Sequence, residues 1–253
     1  MLDKSELTAN VASDNLSQEE IARFDAMANE WWDPNGRYET ALAFNQARID
    51  VMVRQLCDHF MRKPSEHCLK GLSILDVGSG GGLVSENLAL FGAKVTGIDA
   101  SGVSVEVARR HAASTGVNVT YRHALSGDLA REKRQFDVVI NAEVVEHVPD
   151  QQLLIKECAD MVRPGGMLIL ATLNRTLRSF VIAIVGAEYV MRYLPVGTHD
   201  WAKFVKPSEL ADWTGPDLEL VHETGMRMNP FNGTWHTCRS TAVNYLQCYA
   251  KDD

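Results

Sequence analysis

Short apolar stretches alternate with helical stretches along the middle of the chain. The apolar stretches have strand character: LSILDV, KVTGID, VTYRHA, FDVVINA and MLILATL. Segments whose apolar residues recur at helical spacing follow three of them: LVSENLALFG, VSVEVARRHAAST and DQQLLIKECADMV. An acidic loop is expected after VTYRHA, and the turn RPGG leads into MLILATL. Strands that alternate with helices in this way predict a parallel sheet with right-handed crossovers, which is an α/β fold.

The two ends of the chain have patterns of their own. The stretch LSQEEIARFDAMANEWW has helical spacing, with Ser17 as the N-cap and Glu20 completing a capping box. A second helix is predicted from about Leu42 to Phe60. LELVHETGMRM and AVNYLQCYAKD are expected to form two strands joined by a loop, at an antiparallel edge of the sheet. We therefore predict a helical cap over residues 1–60 and one compact doubly wound domain over residues 61–253.

The composition argues against several classes of protein. The 253-residue chain carries a formal net charge of −8, which disfavours a nucleic-acid partner because phosphate binding relies on a basic surface. The five cysteines include no CxxC pair, which predicts reduced thiols in a cytoplasmic protein. The polar first residues, MLDKSELTANVASDN, lack the apolar region of a signal peptide. No apolar run approaches the roughly 20 residues that span a bilayer.

A glycine-rich loop follows the first predicted strand, within the stretch ILDVGSGGGLVSENLALFGAKVTGIDAS. Gly78, Gly80 and Gly82 remove side chains from a turn at which a ligand can approach the backbone. The dinucleotide fingerprint G-x-G-x-x-G would need a glycine at position 83, where the chain has Leu83. A nicotinamide-dependent dehydrogenase is therefore disfavoured.

Two acidic residues narrow the choice of ligand. Asp76 begins a D-x-G-x-G-x-G pattern, and Asp99 closes the next strand, 21 residues after Gly78. The carboxyl ends of parallel strands meet at one edge of a doubly wound sheet, where Asp99 can accept hydrogen bonds from ribose hydroxyls. An acid inside the loop suits a cationic sulfonium and ammonium group and suits a pyrophosphate badly. The pattern favours S-adenosylmethionine over NAD; the alternative is that the glycines only permit tight strand–helix packing.

Five further stretches carry a resemblance to a known family. They are FDAMANEWWDPNG, NAEVVEHVPD, TLNRT, GAEYVMRYLPVGTHDWAKFVKPSEL and MNPFNGTWH. Together with the glycine loop they make the chain similar to the ubiquinone-biosynthesis O-methyltransferases, from about residue 18 to the last residue. The resemblance implies a class I S-adenosylmethionine-dependent methyltransferase. Its fold would be a Rossmann-like doubly wound sheet with an antiparallel C-terminal strand, over residues 61–253.

The resemblance also implies a reaction and a set of cofactor contacts. The reaction is the methylation of phenolic hydroxyls on polyprenylated ubiquinone precursors, at both O-methylation steps of the pathway. Cofactor-binding positions of the family fall on Arg48, Gly78, Asp99 and Ala142, and Gly80 belongs to the same loop. Arg48 is expected to bind the carboxylate of the cofactor with its guanidinium. An O-methyltransferase of another small catechol or phenol is the alternative activity.

The stretch EVVEH, directly after the fourth predicted strand, carries the candidate catalytic groups. A phenol has a pKa of about 10, so its phenolate must be formed by a base or stabilised by a metal ion. Glu143, Glu146 and His147 have the i, i+3, i+4 spacing that places three side chains on one face of a helical turn. Glu143 and His147 are the catalytic candidates, and the three together could hold Mg²⁺, Mn²⁺ or Zn²⁺. His147 acting as the sole base is the alternative.

The segment 173–194 is the candidate contact with a membrane. It contains the most apolar run of the chain, Phe180 to Ala187, which is too short to span a bilayer, and Arg175, Arg178 and Arg192 flank that run. A buried helix is the alternative. Because the resemblance implies a polyprenyl phenol substrate dissolved in a membrane, we expect this segment to bind an anionic membrane surface. The protein would then be cytoplasmic and peripheral at the inner face of the membrane, beside other ubiquinone-biosynthesis proteins.

Other residues and function classes remain. Trp31 and Trp32 are assigned to packing, and His199 and Asp200 receive no role. A nucleic-acid or protein methyltransferase on the same fold is disfavoured because NAEVVEH stands where methyltransferases of base amino groups commonly carry an N-P-P-Y type motif. A non-enzymatic cofactor-binding or scaffold protein would lack the glycine loop or Asp99, and the chain has both.

Overall fold

The chain folds into alternating strands and helices, as its pattern predicts. The computed structural model describes residues 15, 17–27, 32, 39–182, 200–229 and 231–252. The strands are β1 (Ser73–Val77), β2 (Lys94–Asp99), β3 (Val119–His123), β4 (Phe136–Ala142), β5 (Val162–Leu173), β6 (Leu218–Met228), β7 (Trp235–Cys238) and β8 (Asn244–Lys251). The helices are α1 (Gln18–Met27), α2 (Glu39–His59), α3 (Leu83–Leu90), α4 (Gly102–Thr115), α5 (Ser126–Arg131), α6 (Gln151–Asp160), α7 (Leu177–Ser179) and α8 (Pro207–Thr214). Short 3-10 turns lie at Val145–His147 and Trp201–Lys203.

The strands form one mixed sheet in the order β3-β2-β1-β4-β5-β8-β6-β7. The neighbouring pairs from β3 through β5 are parallel, whereas β8 is antiparallel to both β5 and β6. The predicted α/β fold with a parallel sheet and an antiparallel C-terminal strand is confirmed. The two predicted C-terminal strands, β6 and β8, lie at the antiparallel end of the sheet as expected, with β8 between β5 and β6. The outer position is taken by β7, which pairs with the end of β6.

Apolar side chains cover both faces of the sheet, as expected for strands with helices on either side. On one face α2 contributes Ile49, Met52 and Leu56 to a core that also includes strand residues of β1, β4, β5 and β8. On the other face α6 contributes Leu154 and Ile155 to a second core. Because α2 packs in the same core as the strands, this packing fixes where the side chains of α2 lie relative to the strand ends. The division of the chain at residue 60 stays a prediction.

Three local features differ from the predicted pattern. The predicted acidic loop after β3 contains the short helix α5, whose six residues give too little length for a helical period to show. RPGG lies inside β5, where the pairing with β4 shifts register and Gly165 has a φ of 68°. Helix α8 and strand β7 lie within stretches for which no element was predicted. Local apolar periodicity therefore identifies the long elements and misses the short ones.

Asp137, at the start of β4, joins β4 to β1 and β5 through its carboxylate. Its Oδ2 atom accepts hydrogen bonds from the backbone N–H of Ser73 at 2.7 Å and from the Ser73 hydroxyl at 2.6 Å. Its Oδ1 atom pairs with the guanidinium of Arg163 in β5. The residue is buried, and both of its oxygens are used.

Asp137→Ala should lower the free energy of unfolding by about 1–3 kcal/mol, because the Ser73 N–H loses its acceptor and the Arg163 charge loses its partner. Urea denaturation followed by circular dichroism measures the change. Asp217→Ala, at an exposed carboxylate, is the control and should have little effect. Equal and small changes in the two variants would contradict the role given to Asp137.

Candidate active site

The glycine loop lies at the edge of the sheet where the parallel strands end. Gly78, Gly80 and Gly82 have φ angles of 77°, 51° and 90°, which glycine adopts without strain. A Cβ atom on Gly78 would lie 2.2 Å from the side chain of Val144, and one on Gly82 would lie 2.2 Å from the hydroxyl of Tyr121. A Cβ atom on Gly80 would meet no atom of the described residues within 4 Å. Packing therefore explains two of the glycines, while the backbone at Gly80 faces open space that a ligand can approach.

Asp99 ends β2 beside this loop. Its Oδ2 atom accepts a hydrogen bond from the Gly80 N–H at 2.8 Å, and its Oδ1 atom accepts one from the Ser101 N–H at 2.7 Å. Desolvation by the surrounding protein raises the pKa of Asp99 above its usual value, against the effect of these two hydrogen bonds. Each carboxylate oxygen can accept a second hydrogen bond, so Asp99 can bind two hydroxyl donors in addition.

Asp76 lies beneath the loop rather than on its open side. The residue is 2% exposed, and its Oδ2 atom accepts a hydrogen bond from the Ser85 hydroxyl at 2.6 Å. Burial raises the pKa of Asp76 to about 6, with a further contribution from the charge of Asp99. The side chain therefore supports the first turn of α3. It can act on a cationic ligand through its charge, at the pH values where it is ionised.

Arg48 extends from α2 toward the end of β4 and is buried. Its Nη1 atom donates to Oε1 of Glu143 at 2.7 Å, and its Nη2 atom donates to the side chain of Asn45. The guanidinium carbon lies 4.7 Å from the centre of the Phe44 ring. Its Nε atom is buried and has no hydrogen-bond partner among the described residues. A buried guanidinium with an unused donor is suited to a carboxylate ligand.

The end of β4 departs from the predicted geometry. Ala142 is the last residue of the strand, and Glu143 has a left-handed backbone with a φ of 58°. The backbone N–H of Glu143 donates to the carbonyl of Ala171 in β5 at 2.8 Å, so the residue still follows the sheet. The helical turn begins only at Val145 and is of the 3-10 type. The prediction of a helical face shared by Glu143, Glu146 and His147 is therefore wrong.

Glu146 is a buried acid in the 3-10 turn. Its Oε2 atom accepts a hydrogen bond from the Thr172 hydroxyl at 2.9 Å, and its Oε1 atom has no hydrogen-bond partner among the described residues. Burial raises the pKa of Glu146 to about 7, and the nearby charge of Glu143 contributes to the rise. The protonated form of this carboxyl is therefore favoured more than that of an exposed glutamate.

His147 ends the same turn and contacts the N-terminal helix. Its Nδ1 atom lies 3.0 Å from Oε2 of Glu20 in α1, and Oε1 of Glu20 lies 3.9 Å from Nζ of Lys203. Burial lowers the pKa of His147, but the hydrogen bond to Glu20 and the charges of Glu146, Glu20 and Glu143 raise it, and the net shift is upward. Glu20 thus orients the ring, a role that the capping-box pattern did not predict.

The three side chains proposed as metal ligands do not converge in this conformation. Each has a different partner on a different element: Glu143 on α2, Glu146 on β5 and His147 on α1. Across the ranges that the structure describes, no three His, Cys, Asp or Glu side chains are arranged to hold a metal ion. The donor set as it stands does not fit a divalent ion, and the metal hypothesis stays a prediction.

The sequence assigns Trp31 and Trp32 to packing and gives His199 and Asp200 no role. Trp32 donates its indole N–H to the carbonyl of Gly81 at 2.8 Å, so it contacts the glycine loop directly. Asp200 caps the 3-10 turn that follows it with its side chain. Trp31 and His199 lie outside the described residues. The contact of Trp32 had no local signal in the sequence, because its partner lies 49 positions away.

Several proteins with sequences similar to this chain carry the same description. The ubiquinone biosynthesis O-methyltransferase of Pelagibacter ubique (strain HTCC1062) is 42% identical over 239 residues, which cover 94% of this chain and 99% of that protein. The protein of the same description from Sinorhizobium fredii (strain NBRC 101917 / NGR234) is 44% identical, over 94% of this chain and 97% of that protein. The likeness therefore extends over nearly the full length of both.

Solved structures of methyltransferases have the same fold. Magnesium protoporphyrin IX methyltransferase from Synechocystis PCC 6803, with bound SAM, superposes with a TM-score of 0.62 at 19% identity, covering 96% of this chain and 100% of that chain. The plantazolicin methyltransferase BpumL, in complex with SAH, also gives a TM-score of 0.62, at 15% identity over 93% of this chain and 99% of that chain. Residues 75–170 match the family model described as "Methyltransferase domain". Because the Pelagibacter and Sinorhizobium relatives are 42% and 44% identical over 94% of its length, the chain belongs to the family of ubiquinone biosynthesis O-methyltransferases.

Proposed function

We propose that the protein transfers the methyl group of S-adenosylmethionine to phenolic hydroxyls of polyprenylated ubiquinone precursors, at both O-methylation steps of the pathway. The observation that carries this proposal is the open backbone at Gly80, beside Asp99 and on the same sheet edge as the Arg48–Glu143 pair. Family membership supports the class of substrate. An O-methyltransferase of another small catechol or phenol stays the alternative.

The residues of this edge divide the binding of the cofactor among them. Each carboxylate oxygen of Asp99 already accepts one backbone N–H and can accept one more hydrogen bond, from a ribose hydroxyl. Arg48 binds the carboxylate of the cofactor, and the unused Nε donor of its buried guanidinium supports this role. Gly80 and its neighbours let the ligand approach the main chain, and Ala142 lies at the adjoining end of β4. The bound cofactor supplies an electrophilic methyl group on a sulfonium ion.

His147 is the residue whose environment best suits a general base. A neutral ring that donates Nδ1–H to Glu20 presents Nε2 as the proton acceptor, and the carboxylate stabilises the charged ring that forms. With both substrates bound, the phenol oxygen would lose its proton to Nε2, and the phenolate would accept the methyl group as S-adenosylhomocysteine leaves. The upward shift in the pKa of His147 makes the neutral ring a stronger base and raises the pH at which the ring becomes neutral, so the rate should rise with pH as the ring loses its proton.

A divalent ion held by Glu143, Glu146 and His147 is the second hypothesis for this step. Binding it would require each side chain to leave its present partner. Glu143 is 27% exposed and would have to leave Arg48, which would free that guanidinium for the cofactor carboxylate. The two hypotheses therefore differ in what they require of the same three residues, and a chelator separates them.

The residues that follow β5 support a contact with a membrane surface. Leu177 is 79% exposed, Val181 is 57% exposed and Ile182 is 47% exposed, and Arg178 is exposed among them. The rest of the predicted segment, from residue 183, lies outside the described residues. Among the helices that the structure describes, none has the length and apolarity to cross a bilayer. We infer that this segment binds anionic lipid from the cytoplasmic side, with its apolar side chains among the acyl chains.

Asp99→Ala should weaken the binding of S-adenosylhomocysteine by roughly 1–3 kcal/mol, because ribose hydroxyls lose their acceptor and the Gly80 N–H loses the bond that orders the loop. Isothermal titration calorimetry measures the dissociation constant. Asp160→Ala, at an exposed carboxylate at the end of α6, is the control and should bind as the wild type does. An unchanged constant for Asp99→Ala would remove this residue from the cofactor site.

If a divalent ion is required, His147→Ala and Glu143→Ala should each abolish methyl transfer to a prenylated catechol, while calorimetry shows S-adenosylhomocysteine binding nearly intact. If His147 is the sole base, His147→Ala alone should abolish it. Addition of EDTA to the wild type then distinguishes the two hypotheses. A rate that falls with EDTA and returns with added Mg²⁺ assigns a metal to the three side chains. A rate that EDTA leaves unchanged assigns the proton transfer to His147, and full activity of His147→Ala would exclude both.

Replacement of Leu177, Val181 and Ile182 by serine should weaken co-sedimentation with liposomes. Wild-type binding should rise with the fraction of anionic lipid and fall with salt, because arginines pair with the headgroups. Met61→Ser is the control, since Met61 is 93% exposed but lies directly after α2, outside this segment. A folded triple variant that sediments as well as the wild type would show that this segment is not the membrane contact.

A further inference from the structure

Trp32 is held on the glycine loop by two different interactions. Its indole N–H donates to the carbonyl of Gly81 at 2.8 Å. Its ring stacks on the imidazole of His111 in α4, with the ring centres 3.5 Å apart and the planes at 4°. The hydrogen bond fixes the edge of the indole and the stack fixes its face, so the ring has little freedom to turn.

His111 is fixed in turn by a buried acid. Its Nδ1 atom lies 2.9 Å from Oε2 and 3.0 Å from Oε1 of Glu86. Glu86 is 3% exposed and belongs to the first turn of α3, directly after the loop. The hydroxyl of Thr115 donates to the same carboxylate at 3.3 Å. Contacts therefore run from the loop through Trp32 to α4 and back to α3, where the loop ends.

The glycine loop is held by hydrogen bonds on both sides of Gly80, the glycine whose backbone faces open space. The Gly80 N–H is bound to Asp99, and the Gly81 carbonyl is bound to Trp32. Glycine has more backbone freedom than any other residue, so an untied run of glycines would lose that freedom on binding a ligand. Fixing the loop beforehand increases affinity by reducing this loss.

We propose that Trp32 is a positioning residue of the cofactor site, which holds the glycine loop in its binding conformation through the Gly81 carbonyl. His111 and Glu86 act through Trp32 by holding the indole in place. Trp32 lies outside residues 75–170, the part of the chain that matches the general methyltransferase domain. The residue thus adds to that domain a constraint from the N-terminal part of the chain. This inference rests on the proposed binding of S-adenosylmethionine.

Two variants of Trp32 separate its two interactions. Trp32→Phe keeps an aromatic ring that can stack on His111 and removes the N–H donor, while Trp32→Ala removes both. The dissociation constant of S-adenosylhomocysteine and the KM for S-adenosylmethionine should rise roughly threefold to tenfold in Trp32→Phe, the range expected for one lost hydrogen bond. Both should rise more than about tenfold in Trp32→Ala, with kcat within about twofold of the wild type, because only binding is affected. Trp213→Phe is the matched control, because Trp213 is a half-buried tryptophan that packs on the core beside α6. It should leave the dissociation constant and the KM unchanged.

A purely structural role for Trp32 would lower the melting temperature without changing affinity at a temperature where the protein is folded. Wild-type affinity in folded Trp32→Phe would overturn the proposal, as would a fall in kcat at unchanged KM. If Trp32→Ala does not fold, the dissociation constant and the KM of Trp32→Phe test the proposal on their own. Failure of the wild type to bind S-adenosylhomocysteine would instead contradict the proposed function.

Discussion

The carboxylate of Asp99 is the interaction on which the arrangement of this sheet edge depends. It binds one backbone N–H from the turn after β1, at Gly80, and one from the turn after β2, at Ser101. Because each oxygen is hydrogen-bonded to a backbone donor, the acid is stabilised despite the desolvation that raises its pKa. The two turns are thereby held next to each other at this edge of the sheet.

The contacts at this edge show which parts of the site could be predicted and which could not. The strands that carry Asp99 and Ala142 follow from apolar patterning, and their parallel arrangement brings their ends together. The pairs Arg48–Glu143 and His147–Glu20 join residues 95 and 127 positions apart, so no local pattern indicates them. The resemblance pointed to Arg48 as a cofactor contact but did not predict Glu143 as its partner.

The failed prediction of a helical face after β4 has a specific physical cause. Spacing of i, i+3 and i+4 places side chains together only if a helix begins at the first of them. Glu143 instead has a left-handed backbone and donates its N–H to β5, since the neighbouring strand extends past the end of β4. The positions of Glu146 and His147 are then set by a tight turn that starts two residues later. A sequence pattern cannot reveal such a conformation, which pairing with another strand imposes.

The place of β8 in the sheet has a consequence for how the protein assembles. β8 lies between β5 and β6 and pairs with both of them. Until β8 has paired during folding, β5 presents an unpaired apolar edge. Seven residues of β5, from Met167 to Leu173, find their partners in residues 244–250, so these contacts close a loop of more than seventy residues. Pairing over such a distance is slow compared with local helix formation. The interval before β8 docks is therefore the period in which the growing or refolding chain is most exposed to edge-to-edge association, and a chaperone that covers β5 would protect it at that stage.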